Sequence, residues 1–216
     1  MKAYVFYTKS IQNLIDLLTQ STEGIEGLEI VPILGGTDTT GDLTGATHSG
    51  EYMKLMLSRW LHLPDIIRDN IGKKILFLDC DVVFNKNKKD FVNNIESLLN
   101  ENDLITQYDR NTGMSLRINM GFLGIKCGEK TLNFFSEFMN EISKIENPKT
   151  GYPQIEFNDY IKNSSTNTIT YQTLPEDYGY LTENCYFYHA ICVGGGHGKF
   201  NAMESALKQF NTNQPS

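Results

Sequence analysis

The chain has 216 residues, a net charge of −7, and 40% hydrophobic and 11% aromatic residues, which is the size and composition of one well-packed globular domain. The acidic balance excludes an extended nucleic-acid footprint, which needs a Lys/Arg surface, but it allows a small anion carried on a metal. No apolar run reaches the length of a membrane span, and Met1 to Gln20 lacks the continuous apolar centre of a signal peptide. Cys80, Cys127, Cys185 and Cys192 form no CxxC pair, so reduced thiols in an intracellular, cytoplasmic protein are the simplest reading.

Lys2 to Thr8 reads as a buried strand, and Ser10 is the expected N-cap of an amphipathic helix from Ile11 to Leu18. Leu28 to Leu34 is a second strand whose Pro32 marks an edge or a bulge. A right-handed parallel strand–helix–strand unit therefore opens the fold. Gly35 to Gly50, rich in Gly, Thr and Asp, reads as a long surface loop of the kind that often carries function. Glu51 to Leu63 places Tyr52, Leu55, Met56, Trp60 and Leu61 on one face and predicts a helix interrupted by Pro64.

Lys73 to Phe84 is an apolar strand that ends in two carboxylates one residue apart, Asp79 and Asp81. Side chains alternate across a strand, so the two acids share one face and Cys80 takes the other. Two oxygen ligands at a strand end suit a hard divalent cation such as Mg²⁺ or Mn²⁺. The plain alternative is a solvated acidic turn after an ordinary strand.

Further along, helices are expected over Lys88 to Leu99, Glu129 to Ile145, Gln154 to Ile161 and Asn201 to Phe210. Strands are expected over Asp103 to Gln107, Arg117 to Lys126, Thr168 to Leu174 and Cys185 to Val193. Gly121 inside its strand marks the close approach of a ligand or another backbone. Gly194 to Lys199 reads as a glycine-rich loop holding His197 and Lys199, with free backbone N–H groups ahead of a helix N-terminus. His189 ends a late strand and is a third candidate ligand for the acidic pair, with a satisfied core histidine as its alternative. The body of the chain, 1–210, reads as one domain, and 211–216 as a polar tail.

In order, Phe77-Leu78-Asp79-Cys80-Asp81, Asn119-Met120-Gly121-Phe122, Gln154 with Phe157-Asn158, Leu174-Pro175, and His189 ahead of Gly-rich sequence and Lys199 resemble the DxD-bearing nucleotide-diphospho-sugar glycosyltransferases of the GT-A fold. The resemblance spans nearly the whole chain. It implies an α/β fold with a mixed, mostly parallel central sheet flanked by helices, and transfer of a sugar, most naturally from UDP-hexose, to a hydroxyl of a glycan or glycoprotein acceptor. It also implies Mn²⁺, with Mg²⁺ as the alternative, held by Asp79, Asp81 and His189, with His197 as a rival contact. By the same resemblance Lys199, Gly196 and His197 close over the diphosphate, and Cys80 lies within the donor-binding DxD. Tyr7, Thr8 and Lys9 hold the base, Lys54 and Arg59 contact the donor, Asn119 and Gly121 line its sugar, and Gln154 lies near the reacting carbon. The size and the two ends of the chain also resemble the first domain of multidomain glycosyltransferases from large DNA viruses of algae, which implies further domains in the same polypeptide and a host-cell cytoplasm.

One departure is Pro153, where the family often has Asp before Gln154. It leaves the acceptor side open between Glu156 and Asp159, and it keeps an inactive nucleotide-sugar-binding module as an alternative. A haloacid-dehalogenase-type phosphatase is another, with Asp79 attacking phosphorus and Asp81 as acid/base. Such chains carry the motif near their start and a later strand ending in an acidic pair, and neither feature occurs here.

Overall fold

A computed structural model describes residues 1–35, 57–109, 118–144, 153–163, 169–182, 185–191, 193 and 195–212. Its strands are β1 (Lys2–Tyr7), β2 (Glu29–Leu34), β3 (Lys74–Leu78), β4 (Val82–Phe84), β5 (Leu104–Tyr108), β6 (Ile118–Lys126), β7 (Tyr171–Thr173) and β8 (Phe187–His189). The helices are α1 (Gln12–Ser21), α2 (Leu63–Asp69), α3 (Phe91–Glu101), α4 (Glu129–Ser143), α5 (Pro153–Asn163) and α6 (Gly195–Thr212). Among the described residues no helix is long and apolar enough to cross a membrane.

A six-stranded sheet runs in the order β2-β1-β3-β6-β5-β7. Neighbours pair in parallel except at β6, which is antiparallel to both β3 and β5. The sheet is therefore mixed and mostly parallel, as expected, and Pro32 lies on the edge strand β2, where a missing N–H leaves no ladder bond unmade.

Alternation along β3 explains the three layers. Leu76 and Leu78 join a core with α1, α3 and α6, through Leu14, Leu18, Ile95, Leu99 and Met203, while Ile75 and Phe77 face the opposite core with α2, α4 and α5. Each fully buried Leu, Ile or Phe contributes about 1.5–3 kcal/mol. A strand fed from both faces has one workable register, because a slip of one residue would exchange its two faces.

Several expectations need correction. Ser10 is not a helix N-cap: it lies in a 3-10 turn, Lys9–Ile11, and its hydroxyl bonds that of Thr8 at 2.8 Å. The helix before Pro64 is interrupted as expected, at His62, but a second helix, α2, follows at once from Leu63, with Pro64 in its first turn, where a residue has no intrahelical N–H bond to lose. Residues 57–61 are helical; the rest of the expected Glu51 to Leu63 helix, and the Gly35 to Gly50 loop beyond Gly35, lie outside the described residues. The strand expected over Lys73 to Phe84 is broken: Asp79 N still donates to Gly121 O at 2.7 Å, the chain then turns at Cys80 and Asp81, and Val82 pairs with His189 in a two-stranded sheet. Gly195 to Lys199, expected as a loop, form the first turns of α6, with Gly195 at a φ of 67° opening them. Gly194 lies outside the described residues.

At the rim away from that break, Asp103 ties α4 and the residues before β7 to the sheet. Its Oδ2 accepts from Lys130 Nζ at 2.6 Å, Thr170 N at 2.8 Å and Thr170 Oγ1 at 3.0 Å. Partial burial raises its carboxyl, but the Lys130 and Thr170 bonds outweigh this and hold it below the ordinary value of 3.8. A depressed carboxylate stabilises the fold above its unfolded value, and that contribution is lost as pH falls through the folded one. Asp103→Asn is expected to cost about 1–2 kcal/mol near neutrality, and in urea unfolding the difference from wild type should shrink as pH falls below 3.8.

Candidate metal centre

Two pairings bring the site together from distant parts of the chain. The Asp79 bond to Gly121 keeps the first acid on the central sheet, and Ala190 N donates to Asp81 O at 3.0 Å, so the end of β8 holds the second. Val82 opposite His189 then sets the imidazole beside both carboxylates. His189 Nε2 is 3.2 Å from Asp81 Oδ1 and 3.5 Å from Asp79 Oδ2. Asp79, Asp81 and His189 each offer one ligand atom, and those atoms lie within 4.8 Å of one another.

Two cations flank the acids. Lys199 Nζ from α6 donates to Asp81 Oδ2 at 2.5 Å, and Arg59 Nη1 donates to Asp79 Oδ1. The Arg59 guanidinium is buried against Trp60 and Phe77, 4.6 and 4.8 Å from their ring centroids, a favourable place for a planar cation. Burial pushes the Asp79 carboxyl up, but Arg59 and His189 win and hold it low. Burial likewise opposes Asp81, where Lys199 and His189 prevail and lower it. Burial would lower His189, yet the two carboxylates raise it to about 9. Lys199 is raised because Asp81 outweighs its burial.

A divalent cation fits these residues. Asp81 Oδ1 is buried, and the group facing it is His189 Nε2 at 3.2 Å, the same nitrogen that lies 3.5 Å from Asp79 Oδ2, so a divalent ion accepted by both carboxylates and a neutral imidazole could replace this buried charge pairing. A Cβ on Gly121 would stand 2.2 Å from His189 Cε1 and 2.4 Å from Asp79 Oδ2, so Asp79 and the imidazole close onto bare backbone. Two carboxylates and an imidazole make a mixed oxygen–nitrogen donor set suited to a first-row divalent ion.

The other sequence candidates are spread over several elements. Asn119 and Gln154 meet at Asp109, and Asn119 borders the centre beside Gly121: both side-chain amides donate to Asp109 Oδ2 at 3.1 Å, while Asn119 Oδ1 accepts from Gly121 N at 2.7 Å and Gln154 Oε1 from Met120 N at 2.9 Å. Tyr7, Thr8 and Lys9 lie at the carboxyl end of β1, on the same sheet edge as Asp79, with Thr8 buried and Lys9 exposed. His197 is exposed and outside the cluster, so the structure brings His189 and not His197 to the acids. Gly196 lies in the first turn of α6, near Ile11. Burial and Asp81 push the half-buried Cys80 thiol up to about 12, leaving it unreactive near neutrality. Lys54 lies outside the described residues.

Gln107 and Asp109 were not among the sequence candidates, although both are buried beside the centre. One available signal was three polar residues, Gln107-Tyr108-Asp109, following the apolar run of a strand, since carboxyl ends of strands in α/β sheets face ligands. Pro153, where an acid was expected, is buried and opens α5. Glu156 is half-buried and Asp159 exposed.

A sequence profile of the nucleotide-diphospho-sugar transferase family matches residues 37–203. No curated protein sequence matches the chain. Among solved structures, the chain is similar to a glycosyltransferase involved in the glycosylation of the major capsid of PBCV-1, with 14% identity, a TM-score of 0.64, and 94% of this chain and 98% of that one covered. It is also similar to the glycosyltransferase GlyE of Streptococcus pneumoniae TIGR4, with 16% identity, a TM-score of 0.61, and coverage of 97% and 63%. For the galactosyltransferase LgtC, solved with donor and acceptor sugar analogs, the values are 14% identity, a TM-score of 0.51, and coverage of 99% and 100%. At these identities the likeness concerns the fold, an α/β arrangement of the GT-A type. Because the family profile spans most of the sequence, including β3, β6, β8 and the first turns of α6, the chain belongs to the nucleotide-diphospho-sugar transferase family.

Proposed function

We propose that this protein is a divalent-metal-dependent glycosyltransferase that moves a hexose from a UDP-linked donor to a hydroxyl of a glycan or glycoprotein. The observation that carries the reading is the convergence of the buried Asp81, Asp79 and His189, whose ligand atoms lie within 4.8 Å of one another, with Lys199 beside them. Mn²⁺ suits the two-oxygen, one-nitrogen donor set, and Mg²⁺ is the alternative. When bound, the ion supplies charge neutralisation for a leaving diphosphate.

The chain's own residues do the rest. Lys199 presents an ammonium at the edge of the cluster, where a diphosphate oxygen can take the place of Asp81 Oδ2 as its acceptor. Tyr7, Thr8 and Lys9 flank the same sheet edge and hold the base. Asn119 and Gly121 line the donor sugar, and Gln154 is held by bonds at both ends of its amide, so its remaining capacity is directed before substrate arrives. Arg59 keeps Asp79 ionised and in place.

Incubation with UDP-hexoses tests this reading. UDP release is expected only with Mn²⁺ or Mg²⁺, with simple phosphate esters left intact; cleavage of such esters would support the phosphatase, and binding without turnover an inactive module. Lys199→Met is expected to keep Mn²⁺ binding and to weaken UDP binding about 10–100-fold, the loss of one charge-assisted bond of ~1.5–3 kcal/mol. Calorimetric titration of each ligand separates the two effects.

A further inference from the structure

The ring orientation of His189 is set by a residue on a different sheet. Gln107 is only 1% exposed and follows a register shift in the β5–β6 pairing between Thr106 and Gln107. Its Nε2 donates to Gly179 O at 3.4 Å, and its Oε1 lies 2.8 Å from His189 Nδ1. With the amide nitrogen turned to a carbonyl, the oxygen facing the ring can only accept, so Nδ1 carries a proton. Nε2 is then the nitrogen left to face Asp79 and Asp81.

Gly179 closes the arrangement. Its carbonyl also accepts from His189 N at 3.2 Å, so Gln107, Gly179 and the two ends of His189 form one hydrogen-bonded circuit. A Cβ at Gly179 would stand 2.1 Å from Gln107 Nε2, so bare backbone is required for the amide to reach. β8 pairs with β4 and not with the central sheet. Gln107 therefore links the sheet bearing Asp79 to the strand bearing His189.

We propose that Gln107 is a positioning residue for the metal centre: it accepts the Nδ1 proton of His189 and fixes the ring so that Nε2 faces the Asp79–Asp81 pair. The assignment rests on the metal-site reading above. Partners of this kind, behind a ligating histidine, change metal affinity about 10–100-fold when removed.

Gln107→Met and Gln107→Glu in the full chain make the test. Both lose the bond to Gly179 O, and only Glu keeps an acceptor for the Nδ1 proton, so the contrast between them isolates that acceptor. With Mn²⁺ followed by the spin-resonance signal of the free ion, Gln107→Met is expected to bind about 10–100-fold more weakly than wild type and Gln107→Glu within about threefold of it. Wild-type affinity in Gln107→Met would overturn the proposal. A second readout needs no metal. In nitrogen-labelled protein the buried His189 Nδ1 proton should give a downfield, slowly exchanging signal in wild type and Gln107→Glu, and none in Gln107→Met. Its absence from wild type would overturn the proposal whether or not Mn²⁺ binds. Equal Mn²⁺ binding by wild type and Asp81→Asn would instead sink the metal-site reading, and the Nδ1 signal would still decide the role of Gln107.

Discussion

Asp81→Asn is expected to lower Mn²⁺ affinity about a hundredfold or more and metal-dependent UDP release about a thousandfold. Asp81 presents its buried Oδ1 to His189 Nε2 on one side and accepts Lys199 with Oδ2 on the other. An amide keeps the shape but removes the charge that Lys199 and a metal require. The fold should lose less than the function. Removing one partner of a fully buried pair costs about 3–5 kcal/mol, but the Lys199 side chain keeps 33% of its exposure and water replaces part of the bond. A loss of about 1–2 kcal/mol in urea unfolding, together with the much larger loss in Mn²⁺ binding and UDP release, is the expected pattern. Equal losses in stability and binding would make Asp81 a structural residue.

Gly121→Ala is expected to reverse that pattern, damaging fold and site together. Its added methyl would meet His189 Cε1 and Asp79 Oδ2 at 2.2 and 2.4 Å, and Asn119 Oδ1 at 2.9 Å. None of the three can retreat freely: His189 is held by Gln107, Asp79 by Arg59, and Asn119 by Asp109. Overpacking of this kind costs about 1–3 kcal/mol, and displacement of two ligands should lower Mn²⁺ affinity about a hundredfold. Thermal unfolding with and without Mn²⁺ reads both quantities, since an ion that binds only the folded state raises its apparent stability. Unchanged stabilisation by Mn²⁺ in Gly121→Ala would show that the ion sits elsewhere.

The parts of this molecule that were legible in its sequence are those governed by local periodicity. Val5, Leu76 and Phe77 mark central strands, and Leu14, Leu18, Phe135 and Phe138 mark helix faces, because each position's burial follows from the period of its own element. Gly121 was also legible, as a glycine inside a strand. Less legible were the places where a distant segment overrides a local pattern. Lys73 to Phe84 reads as one strand, but Val82 leaves the sheet because His189 offers it a partner there. Gly195, Gly196 and Gly198 read as part of a loop, yet they open a helix whose fifth residue is the Lys199 that reaches Asp81. Gln107 and Asp109 carry no motif, and their roles exist only through His189, Asn119 and Gln154, which lie on other elements.

Calorimetric titration of UDP into the wild-type protein, with Mn²⁺ and then with chelator, tests the central claim most directly. If Asp79, Asp81 and His189 hold the ion that receives a diphosphate, UDP binds in the presence of Mn²⁺ and its affinity collapses with chelator. Equal UDP affinity in both conditions would contradict the account.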